Sequence, residues 1–358
     1  MITKRPIIIT GLDIGSSKVS AVAAETDRKG LFRILAQVTY PSKGVSRGTV
    51  EDLDEAVASV SKVLGKLADK ASRRIDNIYV NINGTSVRGE RSKGMIPISL
   101  RGREVTRPDM ERCASVASTI NLPLDREILH RIVHMYSIDD QPYIKNPIGL
   151  SASRLACEVY ILTANINHIQ NIYKCVSSAG YDVRELVYTG IADGSSVLDP
   201  EDMESGAALV DIGSSITEIS LFLGGVLDDI EIISFGARDI QSDFKDSPEL
   251  AGAVSGIDSR LQGFLRRGGR LNSITIMGGM TLADGFIEFL EEKLKYPVKV
   301  GTVRGITGDI SSLDSIKAAT AIGLARYGYE SLKEKAVAEK NVVKLLSDKV
   351  VDIFNNYF

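Results

Sequence analysis

A five-residue motif that occurs twice constrains the fold of this chain more than any other feature. Asp-Ile-Gly-Ser-Ser occupies residues 13–17 and again residues 211–215, 198 positions apart. An apolar segment precedes each copy and another follows it, which predicts two β-strands joined by a tight turn whose glycine adopts backbone angles closed to other residues. A repeat of so long a period indicates two related halves rather than a solenoid.

The two predicted hairpins carry groups that bind phosphates and a divalent cation. Asp13 and Asp211 place a carboxylate beside each turn, and the small serines expose main-chain N–H groups that can form a concave anion site. If the hairpins face one another, a divalent cation would lie between the phosphates and the carboxylates. Two unrelated Asp-x-Gly turns are the alternative, against which the second copy argues. The predicted phosphate-binding residues are Gly15, Ser16, Ser17, Lys18, Gly213, Ser214 and Ser215.

A third motif follows a predicted strand at residues 274–277. Gly278 and Gly279 come directly after this strand, and residues 282–294 then have apolar positions at helical spacing. A double glycine at a strand-to-helix turn lets the main chain approach a flat ring or a ribose closely. We therefore predict that Gly278, Gly279 and Met280 border an adenosine.

The order of these three motifs resembles that of the actin, Hsp70 and sugar-kinase superfamily. Residues 11–19, 94–99 and 144–151 are similar to segments of the bacterial cell-division FtsA family. The resemblance implies an α/β fold of the actin-like (ribonuclease H-like) type with two halves. It implies ATP and Mg²⁺ as cofactors, with Asp13 and Asp211 binding Mg²⁺ through water, and at most weak ATPase activity. No residue is assigned as catalytic.

The resemblance also implies a division of the chain into subdomains. Residues 235–272 form a much shorter interval than in the family, which predicts a reduced subdomain 2B with one helix near 248–267. Small residues favour two helices that link the halves, at 179–198 and 315–327. The predicted boundaries are 1–83 and 158–186 for subdomain 1A, 84–157 for the inserted subdomain 1C (an SHS2 domain), 187–330 for domain 2 (2A with the reduced 2B), 331–341 for a linker and 342–358 for a membrane-targeting helix.

The last predicted element is an amphipathic helix. Apolar side chains recur at steps of three and four from Val342 to Phe358, and a helix over this range is about 25 Å long. A helix of this kind can lie in the lipid interface, whereas docking onto a partner or onto the body of the protein is the alternative. The residues predicted to enter the membrane are Val343, Leu346, Val350, Ile353 and Phe354.

Composition restricts the compartment and the partners. The net charge of −3 argues against a general nucleic-acid binder. Three cysteines, an odd number without a Cys-x-x-Cys pair, favour free thiols in a reducing cytoplasm. With the predicted tail, we expect a cytoplasmic protein that is peripheral on the inner face of the cell membrane at the division site.

The family resemblance implies several partners and leaves two other functions open. It implies self-association into a filament, contacts of subdomain 1C with other division proteins, and lipid binding by the tail. FtsZ is a candidate partner, but the family contacts FtsZ through subdomain 2B, so the short interval argues against it. A pilus-assembly adaptor of the PilM type would instead bind a partner peptide in its 1C groove. A small-molecule kinase of the same superfamily would need a catalytic aspartate in a substrate cleft and would not be expected to have the insertion.

Overall fold

The first half of the chain is built on a six-stranded sheet. The computed structural model describes residues 7–26, 32–139, 141–241, 243–308 and 310–333. The strand order is β13–β6–β1–β2–β3–β19, in which β1, β2 and β3 are antiparallel neighbours and β6, β13 and β19 join in parallel. The strands are β1 Ile8–Ile14, β2 Lys18–Thr26, β3 Phe32–Pro41, β6 Ile78–Ile82, β13 Val183–Tyr188 and β19 Ile306–Gly308.

The second half repeats this arrangement. Its strand order is β16–β15–β14–β17–β18, again three antiparallel strands followed by two parallel ones. The turns match too, since Gly15 N–H donates to Lys18 O and Gly213 N–H to Ile216 O, each at 3.0 Å. The prediction of two related halves is therefore confirmed. The strands are β14 Ala207–Ile212, β15 Thr217–Leu223, β16 Val226–Ile233, β17 Ile274–Met277 and β18 Val298–Val300.

Between the parallel strands of the first half the chain forms a separate layer with its own core. A four-stranded sheet of order β10–β9–β12–β7 is covered by helix α2, Arg107–Ala117, and the buried side chains between them include Cys113, Leu155 and Val159. The helix and the strand predicted near 109–120 and 156–162 are confirmed. The strands here are β7 Arg88–Pro97, β8 Arg103–Glu104, β9 Arg126–Ile138, β10 Gln141–Ile144, β11 Ser151–Ala152 and β12 Arg154–Asn165.

The remaining elements pack on these sheets. Helix α1 begins at Leu53, where the Asp52 side chain accepts a hydrogen bond from Glu55 N–H, and buries one apolar face. The helix predicted at 179–198 is wrong in its first part, because Val183–Tyr188 pairs in parallel with β6 and only the following small residues are helical. The elements are α1 Leu53–Ala71, α3 Ile166–Ser178, α4 Thr189–Val197, α5 Pro200–Ser205, α6 Pro248–Arg266, α7 Phe286–Leu294, α8 Ser312–Lys317, a helix over 319–333, and the short strands β4 Val45–Ser46 and β5 Thr49–Val50.

The reduced subdomain 2B is confirmed. Among the described residues between the end of β16 and the start of α6, only two 3₁₀ turns form, Ala237–Asp239 and Phe244–Asp246. The predicted helix near 248–267 is present as α6. It packs its apolar face on the sheet of the second half, so it belongs to that core and does not stand above the cleft.

The chain returns to the first half before its described part ends. Strand β19 pairs with β3, and the helix over 319–333 packs on β1. Gly11 makes this approach possible, because a Cβ there would lie 1.9 Å from Ala321 O. Residues 306–308 and 310–333, assigned to domain 2 from the sequence up to residue 330, thus contribute to the core of the first half.

A polar network fastens the inserted layer to the second half. The Arg91 guanidinium donates to Asp228 O and Oδ2 at 3.0 and 2.7 Å. The Tyr160 hydroxyl donates to Asp229 Oδ1 at 3.0 Å and accepts from Ile230 N–H at 3.1 Å. The Asp229 carboxylate also pairs with Arg260 and Arg267 of the segment around α6. Strand β16 is therefore held by charged and polar groups from both sides.

None of the described helices is both long and apolar enough to cross a bilayer. The amphipathic helix predicted at 342–358 lies outside the described residues, so it stays a prediction.

Candidate functional site

The two repeated hairpins face each other across one cleft. From the first hairpin, Asp13 and the turn residues reach the cleft, and from the second, Asp211 and the matching turn. The lining includes eleven of the twelve residues predicted for cofactor binding: Asp13, Gly15, Ser16, Ser17, Lys18, Asp211, Gly213, Ser214, Ser215, Gly278 and Gly279. The structure thus brings together groups that are separated by almost two hundred positions in the sequence.

Met280 is the predicted residue that the structure places elsewhere. It lies in the short 3₁₀ turn Gly279–Leu282, which directs it onto the core of the second half. Met277, at the end of β17, and Leu282, at the end of the turn, contribute apolar lining instead.

Asp13, Asp211 and Glu218 line the cleft, and Asp193 is buried behind the lining, where it interacts electrostatically with Asp13 and Asp211; we name these four side chains the acidic floor. Asp193 of α4 and Glu218 of β15 are buried, with 1% and 4% of their surface exposed, and Asp13 is buried beside them. Asp193 Oδ1 and Glu218 Oε1 have no hydrogen-bond partner among the described residues. Buried carboxylate oxygens normally have a hydrogen-bond partner. A bound cation or a proton would therefore satisfy the unpartnered oxygens of the acidic floor.

The pKa values of these carboxyls are set mainly by their burial and by the charges of the neighbouring carboxylates. Burial raises the pKa of Asp13 to about 6, with Lys18 opposing the shift and the charge of Asp211 adding to it. Burial also raises the pKa of Asp211, again against Lys18. Burial and then the charge of Asp211 raise the pKa of both Asp193 and Glu218 well above the ordinary range. A cation in the cleft would relieve this mutual repulsion.

Asp13 is held in position by a residue from the neighbouring strand. Asn81 of β6 donates its amide N–H to Asp13 Oδ1 at 2.9 Å and accepts from Ile14 N–H at 2.7 Å. Because both Asn81 groups are used, the amide orientation and the Asp13 rotamer are fixed together.

The two glycines after β17 have different structural roles. Gly278 has a φ of 99°, and a Cβ there would lie 2.0 Å from Ile212 O and 3.1 Å from Asp211 Oδ1. Its missing side chain therefore lets this turn pack on the second hairpin. Gly279 has no atom within 4 Å of its would-be Cβ, so it is the glycine that presents open main chain to the cleft.

The cleft is closed in this structure. Ser215 Oγ donates to Ser16 Oγ at 3.0 Å, Arg238 donates to Ser16 O at 3.2 Å, and the Lys18 ammonium donates to Lys317 O. The cavity that remains is about 140 Å³. Sites for small-molecule ligands are roughly 300–1,000 Å³, so a nucleotide requires the hairpins to separate.

A divalent cation fits the chemistry of this cleft, held mainly through water. No group of three or more His, Cys, Asp or Glu side chains arranged to hold a metal ion is found in the described ranges. Asp13 and Asp211 can supply two oxygen ligands from opposite hairpins, which suits a small hard cation that keeps several waters. The positive charge matches the unpaired carboxylate oxygens on the floor.

Residues that were not predicted from the sequence include Met277 and Leu282 of the lining and three polar groups near the carboxylates, Asn81, Asp193 and Glu218. A signal for Glu218 existed, because it stands seven positions after Asp211, where the first repeat has Ser20 after Asp13. Asp193 was recognisable as an acid within a run of small residues. Asn81 carried no such signal, since only the pairing of β6 with β1 brings it to Asp13.

Comparisons with known proteins agree on one relationship. The model of the SHS2 domain inserted in FtsA matches residues 84–163. The cell division protein FtsA of Borreliella burgdorferi is 29% identical over 96% of this chain and 94% of its own length. That of Pseudomonas aeruginosa is 28% identical over 90% and 89%.

A solved structure shows the same fold. The PilM–PilN type IV pilus biogenesis complex contains a chain that superposes with a TM-score of 0.67 at 16% identity, covering 90% of this chain and 98% of that one. At this identity the similarity concerns the fold alone.

Proposed function

Since this chain is an actin-like relative of FtsA with an SHS2 domain inserted in its first half, we propose that it is an ATP-binding cell-division protein that self-associates on the cytoplasmic face of the membrane. The observation that carries the proposal is the pair of Asp-Ile-Gly-Ser-Ser hairpins facing each other over a carboxylate-lined cleft. In this function the protein would anchor the division machinery to the lipid.

The proposed cofactor is Mg-ATP. Asp13 and Asp211 would hold Mg²⁺ through its waters, and the main-chain N–H groups of the two serine turns would hold the phosphates. Bound Mg²⁺ supplies the positive charge that offsets phosphates and carboxylates together. Gly279, with Met277 and Leu282, would border the adenosine. We assign no catalytic base, so hydrolysis is not part of the proposal.

The inserted layer, residues 84–157, is the proposed surface for contacts with other copies and with other division proteins. Large apolar side chains are exposed on this layer, and exposed apolar surface can mark a contact site. They include Met95, Leu100, Val116, Leu124, Ile148 and Leu150. With subdomain 2B reduced to two short turns, we do not propose a contact with FtsZ through that subdomain.

The adaptor function of the pilus type is the second candidate, favoured by the similarity of fold to the PilM–PilN complex. The closer sequence matches to FtsA, at 28% and 29% identity, argue for the first. Electron microscopy of the purified protein on a lipid monolayer, with and without Mg-ATP, distinguishes them. Filaments lying on the lipid support the division function, whereas single particles under all conditions contradict it.

Removing the tail is expected to abolish lipid binding. A helix at 342–358 would insert through apolar burial, at roughly 25 cal/mol per Å², because its charges nearly balance. We expect a chain ending at Lys340 and a Phe354→Asp variant to stay in the supernatant of a liposome sedimentation assay, while the intact chain pellets under conditions that allow assembly. If all three pellet equally, the tail is not the anchor.

Stabilisation by Mg²⁺ should depend on pH. The folded-state pKa of Asp13, about 6, lies above its ordinary value of 3.8, so without a cation stability falls as pH rises between these values. Mg²⁺ needs the ionised carboxyl, so it should raise the unfolding midpoint at about pH 7.5 and much less at about pH 5. Calorimetry at both pH values tests this, with Asp13→Asn expected to reduce the difference. Equal shifts at both pH values would contradict it.

A further inference from the structure

Two serine hydroxyls tie the halves of the molecule together inside the cleft. We name the contact between Ser16 and Ser215 the serine latch. Ser215 Oγ donates to Ser16 Oγ at 3.0 Å and accepts from Arg47 N–H at 3.2 Å. Ser16 Oγ also accepts from Gly48 N–H at 3.4 Å. The latch thus joins both hairpins and the loop at residues 47–48.

The loop that completes the latch is held in an unusual conformation. Arg47 has a φ of 47°, in the left-handed region that a residue with a side chain seldom adopts. Gly48, with a φ of 77°, follows it, and a Cβ at Gly48 would lie 2.2 Å from Asn83 Oδ1. A strained segment persists only where surrounding contacts stabilise it. One of these contacts here is the hydrogen bond from Arg47 N–H to Ser215 Oγ.

The latch and a phosphate chain compete for the same space. Ser16 and Ser215 both line the cleft, whose cavity is about 140 Å³ while they are bonded. Phosphate oxygens bound to the two turns would have to lie between the hairpins, where the hydroxyls now meet. The latch must therefore open before the turns can receive a polyphosphate.

We propose that Ser215 is a gating residue that keeps the cleft closed and lowers the apparent affinity for nucleotide. This inference rests on the proposed function, because it concerns the same Mg-ATP site. A ligand that binds only the open state has an apparent Kd equal to its intrinsic Kd divided by the open fraction. Removing the hydroxyl raises that fraction, so nucleotide binds more tightly and enters faster.

Other contacts limit the size of this effect. Arg238 still donates to Ser16 O, and the Lys18 ammonium still donates to Lys317 O, when Ser215 is changed. The closed state therefore persists in the variant but is less favoured. Loss of two hydrogen bonds of ordinary net strength corresponds to an increase in affinity of about tenfold.

The test compares Ser215→Ala and Ser215→Gly with the full-length protein by two readouts. The first is binding of Mg-ATP, as affinity from calorimetry and association rate from a fluorescent ATP analogue. The second is hydrogen exchange of residues 13–18 and 211–216 in the absence of nucleotide. Both variants should bind about tenfold more tightly and exchange faster in these two turns. Ser177→Ala is the matched comparison, since it removes an exposed serine hydroxyl that donates to Lys174 O in α3, outside the cleft.

The outcomes separate failure of the latch from failure of the proposed function. If the original protein binds Mg-ATP and Ser215→Ala binds no better, the latch is refuted while nucleotide binding stands. If Ser177→Ala tightens binding as much as Ser215→Ala, the effect does not come from the contact between Ser215 and Ser16, and the latch is also refuted. If neither the original protein nor Ser215→Gly binds Mg-ATP, the latch and the proposed function both fail. If Ser215→Gly binds Mg-ATP and the original protein does not, the result supports both the latch and the proposed function.

Discussion

Replacing Asp211 by alanine is expected to weaken Mg-ATP binding about tenfold or more, with Asp13→Ala acting in the same direction. Each change removes one of the two carboxylates that would hold the cation, and each 1.4 kcal/mol of lost interaction is about a tenfold loss of affinity. Calorimetric titration of the purified variants measures the effect. Asp182→Ala, at an exposed position before β13, is the matched control and should bind as the original protein does.

The stability of Asp211→Ala distinguishes this loss from misfolding. The charge of Asp211 raises the pKa of Asp13, Asp193 and Glu218, so it opposes the ionised form of all three. Its removal relieves that repulsion, and we expect the nucleotide-free variant to unfold at the same temperature as the original protein or at a higher one. Equal affinity for Mg-ATP in the original protein and both carboxylate variants would contradict the assignment of the site.

Replacing Asp229 by alanine is expected to lower the free energy of unfolding by about 3 kcal/mol, near the low end of the cost of breaking a buried ion pair. Asp229 is 7% exposed and accepts from Tyr160, Arg260 and Arg267. Arg260 and Arg267 are 25% and 46% exposed at their side chains, so solvent reduces the cost of leaving them unpaired. Urea unfolding measures the difference.

Two comparison variants make this prediction specific. Asp229→Asn keeps a hydrogen-bond acceptor but loses the charge, so its loss of stability should be smaller. Asp258→Ala removes a carboxylate on the solvent side of α6 that contacts Gln262, and should change stability by no more than about 0.5 kcal/mol. If Asp229→Ala is as mild as Asp258→Ala, the network at β16 does not hold the inserted layer to the second half.

Local signals in the sequence were sufficient for much of the fold. The hairpin turns depend on the backbone freedom of one glycine and on the strands beside it, so both copies were recognisable. Helix α6 begins at Pro248 after Ser247, and its apolar spacing continues to Phe264, all within one segment. The reduced subdomain 2B was visible as a short interval. In each case the structure depends on a few neighbouring residues or on the number of residues in one interval.

Elements whose state depends on a distant partner were not predictable in this way. Val183–Tyr188 is a strand because β6 offers a parallel edge to it, and its own small-residue neighbourhood favoured a helix. Met280 turned away from the cleft because the 3₁₀ turn after Gly278 packs on the core of the second half. The helix over 319–333 joins the first half through the close approach that Gly11 allows.

The two halves, both hairpins and eleven of the residues that line the cleft follow from the sequence alone, because turn chemistry and strand patterns act over short distances. That the hairpins face each other, and that Asn81, Asp193 and Glu218 lie at the same site, depends on the tertiary structure, since separate strands and a helix carry these residues. It also decided that the cleft is closed, through a hydrogen bond between serines 199 positions apart. Such a contact depends on how the two finished halves meet, and no local pattern specifies that geometry.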